Sequence, residues 1–274
     1  MFSTARQVIE TLAHPTACDR TPSLRVFGSQ DAATSPSLQY VSRKGGYAHE
    51  MKFLVDEPQA HEIEKRLRTV LSPDSHADPT AGNSYEIATV YCDTPKWDVF
   101  HRRGRYRLLK FRARRYGKSS SVFLERKFRQ RDRVRKRRST IGLDQFAAIG
   151  EASAFSDESV CWYSRQLRRN VFRPVCLIEY WRTAYFAAGH DTPIRLTFDR
   201  QIRGGLTSGW SFAASQTTLQ LLANFVVCEL KFFGAMPAIF KHVIHDLQLS
   251  AQGVSKYRQC IQSLGVLPTE IDYA

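Results

Sequence analysis

Residues 105–129 read RYRLLKFRARRYGKSSSVFLERKFR, and this stretch decides the fold. Its first half alternates apolar or small residues with cations, which is the period of a β-strand with two unlike faces. Residues 117–121 predict a tight turn, and the residues after them predict a return strand on which Glu125 and Lys127 share one face. The faces of the first strand would carry Leu109, Phe111 and Ala113 on one side and Lys110, Arg112 and Arg114 on the other. The stretch therefore predicts a β-hairpin with one strongly charged face.

The same alternation recurs in other segments of the chain. At 49–55 (HEMKFLV) Met51 and Phe53 alternate with charged neighbours, and similar patterns follow at 194–200 and 226–232. The long charged side chains placed on one face in this way are Glu50 and Lys52, Arg182, Arg195 and Asp199, and Glu229 and Lys231. An ordinary half-exposed sheet carries mixed polar residues on its outer face, so this repetition indicates that the charged faces share one enclosed space. If these strands close into one antiparallel barrel of about eight strands, the charges line the tunnel inside it, which can enclose a ligand.

The charge of the chain is concentrated in one segment. The chain has 40 Lys and Arg against 26 Asp and Glu, a formal net charge of +14. Residues 102–138 contain 18 of these cations and two acids, Glu125 and Asp132, and so account for the whole imbalance. A local excess of this size implies a polyanionic partner, either a nucleic acid, a phosphorylated small molecule or an inorganic phosphate chain. The alternation predicts that much of this charge faces the tunnel.

Composition excludes several other classes of protein. An apolar content of 43% is enough for a core, and no apolar run is long enough for a transmembrane helix. The first residues lack the continuous apolar segment of a signal peptide, so we expect a cytoplasmic location. The six cysteines lack metal-ligand spacing, which predicts free thiols in a reducing compartment. Residues 1–46 are expected to form a flexible N-terminal leader, and residues 47–274 the domain.

Cations that surround a common space suit a polyanion, and carboxylates among them suit a divalent metal bridged to it, because hard cations prefer oxygen ligands. Together these groups outline a phosphoryl-transfer site, in which guanidinium groups stabilise charge on the phosphoryl oxygens and a metal neutralises the remainder.

The motifs of this chain, taken together and in order, resemble one family. They are HEMKFLV (49–55), TVYCDTP (89–95), LLKFRARRYG (108–117), VFLERKF (122–128), RKRRSTI (135–141), EYWRTAYF (179–186), RLTFDR (195–200), VCELKFFGAMP (227–237) and VSKYRQCI (254–261). The chain resembles the VTC domain, the polyphosphate polymerase domain of the vacuolar transporter chaperone complex, within the triphosphate tunnel metalloenzyme or CYTH-like superfamily. The eukaryotic polymerases also carry an SPX domain and a membrane segment, which are not found in this chain, so we expect its regulation to differ.

The resemblance implies an α+β fold, an eight-stranded antiparallel β-barrel tunnel flanked by helices. It also implies roles for residues on the charged faces. The residues implied to be catalytic are Arg112, Arg114, Lys127 and Arg182. Those implied to bind substrate phosphates are Lys52, Lys110, Lys136, Arg138, Arg195, Lys231 and Lys256. The implied metal ligands are Glu229, Glu50 and Glu125, and the implied metal is Mn²⁺ or Mg²⁺.

The activity implied by the resemblance is transfer of the ATP γ-phosphate to a growing polyphosphate chain. A hydrolase that cleaves tripolyphosphate or a nucleoside triphosphate in the same tunnel is an alternative. A non-catalytic polyanion-binding module is another. Nucleic acid is disfavoured as the partner, because Tyr106, Phe111, Tyr116 and Phe128 belong to the strand alternation and do not form a separate stacking platform.

Overall fold

The computed structural model describes residues 48–130, 133–151, 157–187, 193–213 and 218–266. The strands in this part of the chain are β1 (Ala48–Val55), β2 (Ser72–Pro73), β3 (Ser84–Asp93), β4 (Leu109–Tyr116), β5 (Ser121–Gln130), β6 (Arg133–Gly142), β7 (Arg173–Ala187), β8 (Ile194–Leu206), β9 (Leu219–Gln220) and β10 (Val226–Phe233). The helices are α1 (Glu57–Leu67), α2 (Glu158–Arg169), α3 (Ala238–Asp246) and α4 (Lys256–Leu264).

Eight of the strands form a closed ring. Their order is β7-β3-β4-β5-β6-β1-β10-β8, and β8 pairs back with β7. Every pairing is antiparallel. The short strands β2 and β9 extend the sheet beside β7 and β8. The predicted eight-stranded antiparallel barrel is therefore confirmed.

The apolar faces of the strands lie outside the barrel and are covered by the helices. On one side α1 and α3 pack on β1, β8 and β10, where Phe53, Phe198 and Leu230 are buried. On the other side α2 packs beside β4, β5 and β6, where Phe111 and Leu124 are buried, and α4 contacts β7 and β8. Helix α1 starts at a capping box, in which Asp56 accepts a hydrogen bond from the backbone N–H of Gln59. With its apolar residues buried on the outside, the sheet turns its charged faces inward.

The hairpin predicted from residues 105–129 is present, with two local differences. Arg112 lies opposite Glu125 in the β4–β5 pair, and Gly117 has the positive φ (49°) of a tight turn. Strand β4 begins only at Leu109, because Gly104–Leu108 form a 3₁₀ helix. The sequence pattern over 143–152 predicts an α-helix, but this prediction is wrong for the described residues 143–151, in which a 3₁₀ helix spans Phe146–Gly150. Its apolar residues Phe146 and Ile149 are three apart, a spacing that the 3₁₀ helix places on one side.

Other predictions fall partly outside the described residues. The proposed leader, residues 1–46, lies outside them, as does Cys18. Among the described cysteines, Cys92, Cys176, Cys228 and Cys260 are free thiols, as predicted. No helix in the described ranges is long and apolar enough to cross a membrane.

Candidate phosphate-binding tunnel

The charged faces of the strands meet inside the barrel. Lys127 Nζ of β5 donates to Glu50 Oε2 of β1 at 2.5 Å, although β6 lies between these two strands in the sheet. A contact of this kind can form only across the inner surface. The tunnel cations supplied by the strands are Lys52, Lys110, Arg112, Arg114, Lys127, Lys136, Arg138, Arg182, Arg195 and Lys231, and α4 supplies Lys256. These are the catalytic and substrate-binding positions implied by the sequence resemblance, now brought to one surface.

Glu125 is the centre of the first group of tunnel charges. Its carboxylate is fully buried and accepts from Arg112 at 2.7 Å, from Arg138 at 2.7 Å, and from Lys136. Burial alone would raise the pKa of Glu125, but the surrounding cations outweigh burial and hold that pKa well below its usual range. Glu125 is therefore an ionised anchor that fixes three cations.

Glu50 and Glu229 form a second group on the neighbouring strands β1 and β10. Glu50 pairs with Lys127, and Glu229 pairs with Lys52. Burial opposes ionisation of both carboxyls, but Lys127 and Lys52 outweigh it and lower both pKa values. In the register of the two strands Lys52 is opposite Glu229 and Lys231 is opposite Glu50, so the two carboxylates lie diagonally to each other. Both are ionised oxygen donors on one inner surface.

This pair is the part of the tunnel that fits a divalent cation. Mg²⁺ is usually held by one or two carboxylates together with substrate phosphates and water, and Glu50 with Glu229 matches that donor set. In the described ranges no three Asp, Glu, His or Cys side chains come together as a complete metal site. Glu125, the third metal ligand implied by the sequence, lies apart from the pair and already contacts three cations. The geometry thus favours two protein ligands, with the remaining positions filled by substrate oxygens.

Asp199 on β8 is a tunnel carboxylate that the sequence-based set of site residues lacked. It accepts two hydrogen bonds from Arg182, at 2.6 and 2.8 Å, and one from Lys256 Nζ at 2.5 Å. Burial opposes its ionisation, but Arg182 and Lys256 outweigh it and lower the pKa of Asp199. The sequence did contain a pattern that indicates this residue: the alternation of the motif RLTFDR places Asp199 on the same face as Arg195.

Among the residues that the structure describes, Arg114 and Lys110 form no ion pair with a carboxylate. Arg114 is 5% exposed, and its Nε donates to Thr89 Oγ1 at 3.2 Å. Lys110 Nζ donates to Ser255 Oγ at 2.8 Å, and burial followed by the nearby Lys127 and Lys52 lowers its pKa well below the usual value. An incoming anion would therefore supply the negative charge that these two cations lack.

One end of the tunnel is crossed by the segment that leads into α4. The backbone N–H of Gln252 donates to the carbonyl oxygen of Lys52 on β1 at 2.7 Å. The ring of Tyr257 stacks on Tyr91 of β3 with centroids 5.6 Å apart, and its hydroxyl donates to Asp93 at 2.5 Å. Lys110 of β4 and Asp199 of β8 are also contacted by this segment. Because these strands lie around the barrel, we call this the closed end.

The other end keeps more contact with solvent, and we call it the open mouth. Here Arg195 donates to Asp74 at 2.7 Å and to the Tyr85 hydroxyl at 3.3 Å, and its side chain is 29% exposed. The ring of His76 stacks on that of Tyr116 with centroids 5.2 Å apart. The mouth therefore combines cations with aromatic rings, and a polyanion can enter from this side.

The tunnel as a whole has an excess of positive charge. Eleven cations face four carboxylates, Glu50, Glu125, Asp199 and Glu229, with Asp74 at the mouth. Burying like charges without compensation is unfavourable, so the ligand that suits this space is one with several negative charges close together.

Alternate residues of the same basic segment lie outside the tunnel. Arg126 and Arg137 are opposite each other on the outer face of β5 and β6, and their guanidinium groups lie over the ring of Trp162 at 5.9 and 4.3 Å. Among the described cations of residues 102–138, six line the tunnel: Lys110, Arg112, Arg114, Lys127, Lys136 and Arg138. The expectation that much of this charge faces inward holds for these six, whereas other cations lie on the outer strand face, as Arg126 and Arg137 do, or in the 3₁₀ helix Gly104–Leu108.

Comparison with known proteins agrees with this geometry. The VTC domain family model matches residues 47–265. The chain belongs to the VTC domain family. The family match covers every tunnel residue described above, from Glu50 to Lys256. A search of curated proteins gave no match.

Solved structures similar to this VTC domain share low sequence identity with it. One is the HpAC1 protein of Hippeastrum, named as an adenylyl cyclase with a dominant triphosphatase activity (TM-score 0.48, 13% identity, 81% of this chain and 98% of that chain). Another is a Bacillus halodurans protein, bh2851, assigned as an adenylate cyclase (0.46, 12%, 80% and 97%). A third is PH1819 of Pyrococcus horikoshii OT3 (0.41, 14%, 79% and 99%). At these TM-scores and identities, the likenesses say nothing about activity.

Tyr116 and Lys136 give the open mouth two groups that titrate near neutral pH. Burial alone would raise the pKa of Tyr116, but Arg114 and Lys136 outweigh it and lower that pKa to about 7. Burial lowers the pKa of Lys136 to about 8, against the opposing effect of Glu125. Above these pKa values the tyrosine becomes negative and the lysine becomes neutral, so both changes remove positive charge from the mouth.

We therefore expect the affinity for tripolyphosphate to fall as the pH rises from about 6 to about 9. Calorimetric titration of the wild type and of Tyr116→Phe across this range checks the expectation. The variant should lose the part of the pH dependence caused by the phenolate, a difference of about tenfold at the alkaline limit. Because the same ligand is used for both proteins, its own protonation cancels in the comparison, and parallel curves would contradict the assignment.

Proposed function

We propose that this VTC domain is a polyphosphate polymerase, an ATP:polyphosphate phosphotransferase that depends on a divalent metal. The observation that carries the proposal is the inner surface of the closed barrel, where many cations and one diagonal pair of ionised carboxylates, Glu50 and Glu229, face a common space. ATP and polyphosphate supply the closely spaced negative charges that this space suits.

The proposed reaction transfers one phosphoryl group. A terminal oxygen of the polyphosphate chain forms a bond to the γ-phosphorus of ATP, and the bond from that phosphorus to the β–γ bridging oxygen breaks. ADP leaves with the electron pair of the broken bond, and the chain grows by one phosphate. Such a transfer requires positioning and charge stabilisation but no covalent protein nucleophile.

The tunnel residues divide this work according to their positions. Arg112, Arg114, Lys127 and Arg182 would bind the oxygens of the transferred group and stabilise the charge that develops on them. Glu229 and Glu50 would hold Mn²⁺ or Mg²⁺, which when bound supplies further neutralisation of the phosphate oxygens. The other tunnel cations would hold the nucleotide and the chain: Lys52, Lys110, Lys136, Arg138, Arg195, Lys231 and Lys256. Glu125 would act by fixing Arg112 and Arg138 and not as a metal ligand.

Hydrolysis is a second candidate function, and the closed end of the tunnel favours it. The segment from Gln252 to Tyr257 crosses this end, so a growing chain has no straight passage through the barrel in this conformation. With water as acceptor, the same cations would cleave tripolyphosphate or a nucleoside triphosphate to shorter phosphates. A non-catalytic polyanion-binding module would show the same binding without turnover.

A product assay separates these functions. We expect purified protein incubated with ATP, Mn²⁺ and a short polyphosphate primer to form ADP and longer polyphosphate chains. The amount of ADP, measured by nucleotide chromatography, should equal the amount of phosphate added to the chains, which gel electrophoresis resolves by length. Free orthophosphate without longer chains would instead identify the hydrolase. Binding with neither product would overturn an enzymatic function, and an Arg112→Ala, Arg114→Ala double variant controls for contaminating activity.

A further inference from the structure

Thr197 of β8 is buried in the tunnel wall with an unsatisfied hydroxyl. The residue is 3% exposed, and its Oγ1 has no hydrogen-bond partner among the described residues. It lies between Arg195 and Asp199 in sequence and shares their inner face. A buried hydroxyl without a partner loses its hydration and gains nothing in return, which costs stability. A valine would fill the same volume at this position without that cost.

The neighbours of Thr197 explain what the hydroxyl can contact. In the strand register it lies opposite Glu229 of β10 and opposite Ala184 of β7. Its diagonal neighbours on these strands are Lys231 and Arg182. The hydroxyl is therefore a neutral donor set between two cations and next to a candidate metal ligand.

We propose that Thr197 is a substrate-positioning residue whose hydroxyl donates a hydrogen bond to a non-bridging oxygen of the phosphate chain held by Arg182 and Lys231. The assignment rests on the proposed function only in requiring that the tunnel bind a phosphate chain. The charge of a lysine or arginine attracts such a chain from any direction. A hydroxyl on a stiff β-branched side chain can donate a hydrogen bond only to a phosphate oxygen at one position, because the bond requires a defined distance and angle. Thr197 would thus fix the register of the chain relative to Glu229.

The test compares binding with stability in two matched variants of the full chain. Thr197→Val keeps the shape and removes the hydroxyl. We expect calorimetry to show about tenfold weaker binding of tripolyphosphate, since the lost bond has a charged acceptor. We also expect an equal or higher melting temperature without ligand. Thr197→Ser should restore most of the affinity.

Thr183→Val is the matched control on the outer face of the barrel. The hydroxyl of Thr183 accepts a hydrogen bond from Arg200 at 3.2 Å, so this variant should lower the melting temperature and leave tripolyphosphate affinity unchanged. Equal affinity of Thr197→Val and wild type would overturn the assignment, as would a lower melting temperature of Thr197→Val without ligand, because it would reveal a structural role. A wild-type protein that does not bind tripolyphosphate would instead overturn the proposed function, and this assignment with it.

Discussion

Glu229→Gln is expected to lower turnover of ATP by about 10³-fold, because it removes one of two carboxylates that fit a divalent metal. The change keeps the shape of the side chain but removes the charge that pairs with Lys52. Since Lys52 is then left without its carboxylate partner, we expect the affinity for tripolyphosphate to stay the same or to rise. An enzyme and a simple binder therefore respond differently to this substitution.

The measurement is steady-state turnover with ATP over a range of Mn²⁺ or Mg²⁺ concentrations, together with calorimetric binding of tripolyphosphate. Glu62→Gln is the matched control, because Glu62 is a partly exposed carboxylate that pairs with Arg66 on the outer helix α1. It should leave both quantities unchanged. Turnover of Glu229→Gln within a few fold of the wild-type value would exclude Glu229 as a metal ligand.

Glu125→Gln is expected to lower the free energy of unfolding by about 3–5 kcal/mol, the range found when one partner of a buried ion pair is removed. The reason is that Arg112, Lys136 and Arg138 lose the carboxylate that compensates their charges. Tripolyphosphate should restore much of the lost stability, since its oxygens supply negative charge to the same cations. Urea unfolding with and without tripolyphosphate measures both effects.

The response to acid gives an independent check on Glu125. Because the pKa of Glu125 is lowered in the folded protein, its contribution to stability is present above the ordinary glutamate pKa and is lost as the pH falls towards the folded-state value. The variant should lack this part of the acid dependence. The control is Glu158→Gln, which breaks an exposed pair with Arg165 and should change stability far less, because solvent screens exposed ion pairs. Equal losses in the two variants would contradict the proposed role of Glu125.

Predictions from the sequence were most successful where they depended on local periodicity. The alternation around Arg112, Glu50 and Glu229 predicted strands with one charged face, and each lies in a barrel strand with that face inward. Prediction from periodicity was less successful at 143–152, where the pattern predicts an α-helix and the chain forms the 3₁₀ helix Phe146–Gly150. The alternation of RLTFDR places Asp199 and Thr197 on the same face as Arg195, but nothing local distinguishes these two residues from ordinary strand residues.

The sequence by itself determined which residues share a face and that the charged faces belong together, because side chains of a strand alternate with a fixed period of two. It also carried the motifs of the VTC family. Only the tertiary structure decided which charges meet: Glu125 with three cations, Glu50 with Glu229, and Asp199 with Lys256 of α4. It also decided that α4 crosses one end of the tunnel and that some cations of the basic segment, such as Arg126 and Arg137, lie outside it. These features depend on the closure of eight strands and on their register, which join residues as far apart in sequence as Ala48 and Phe233 and leave no local pattern.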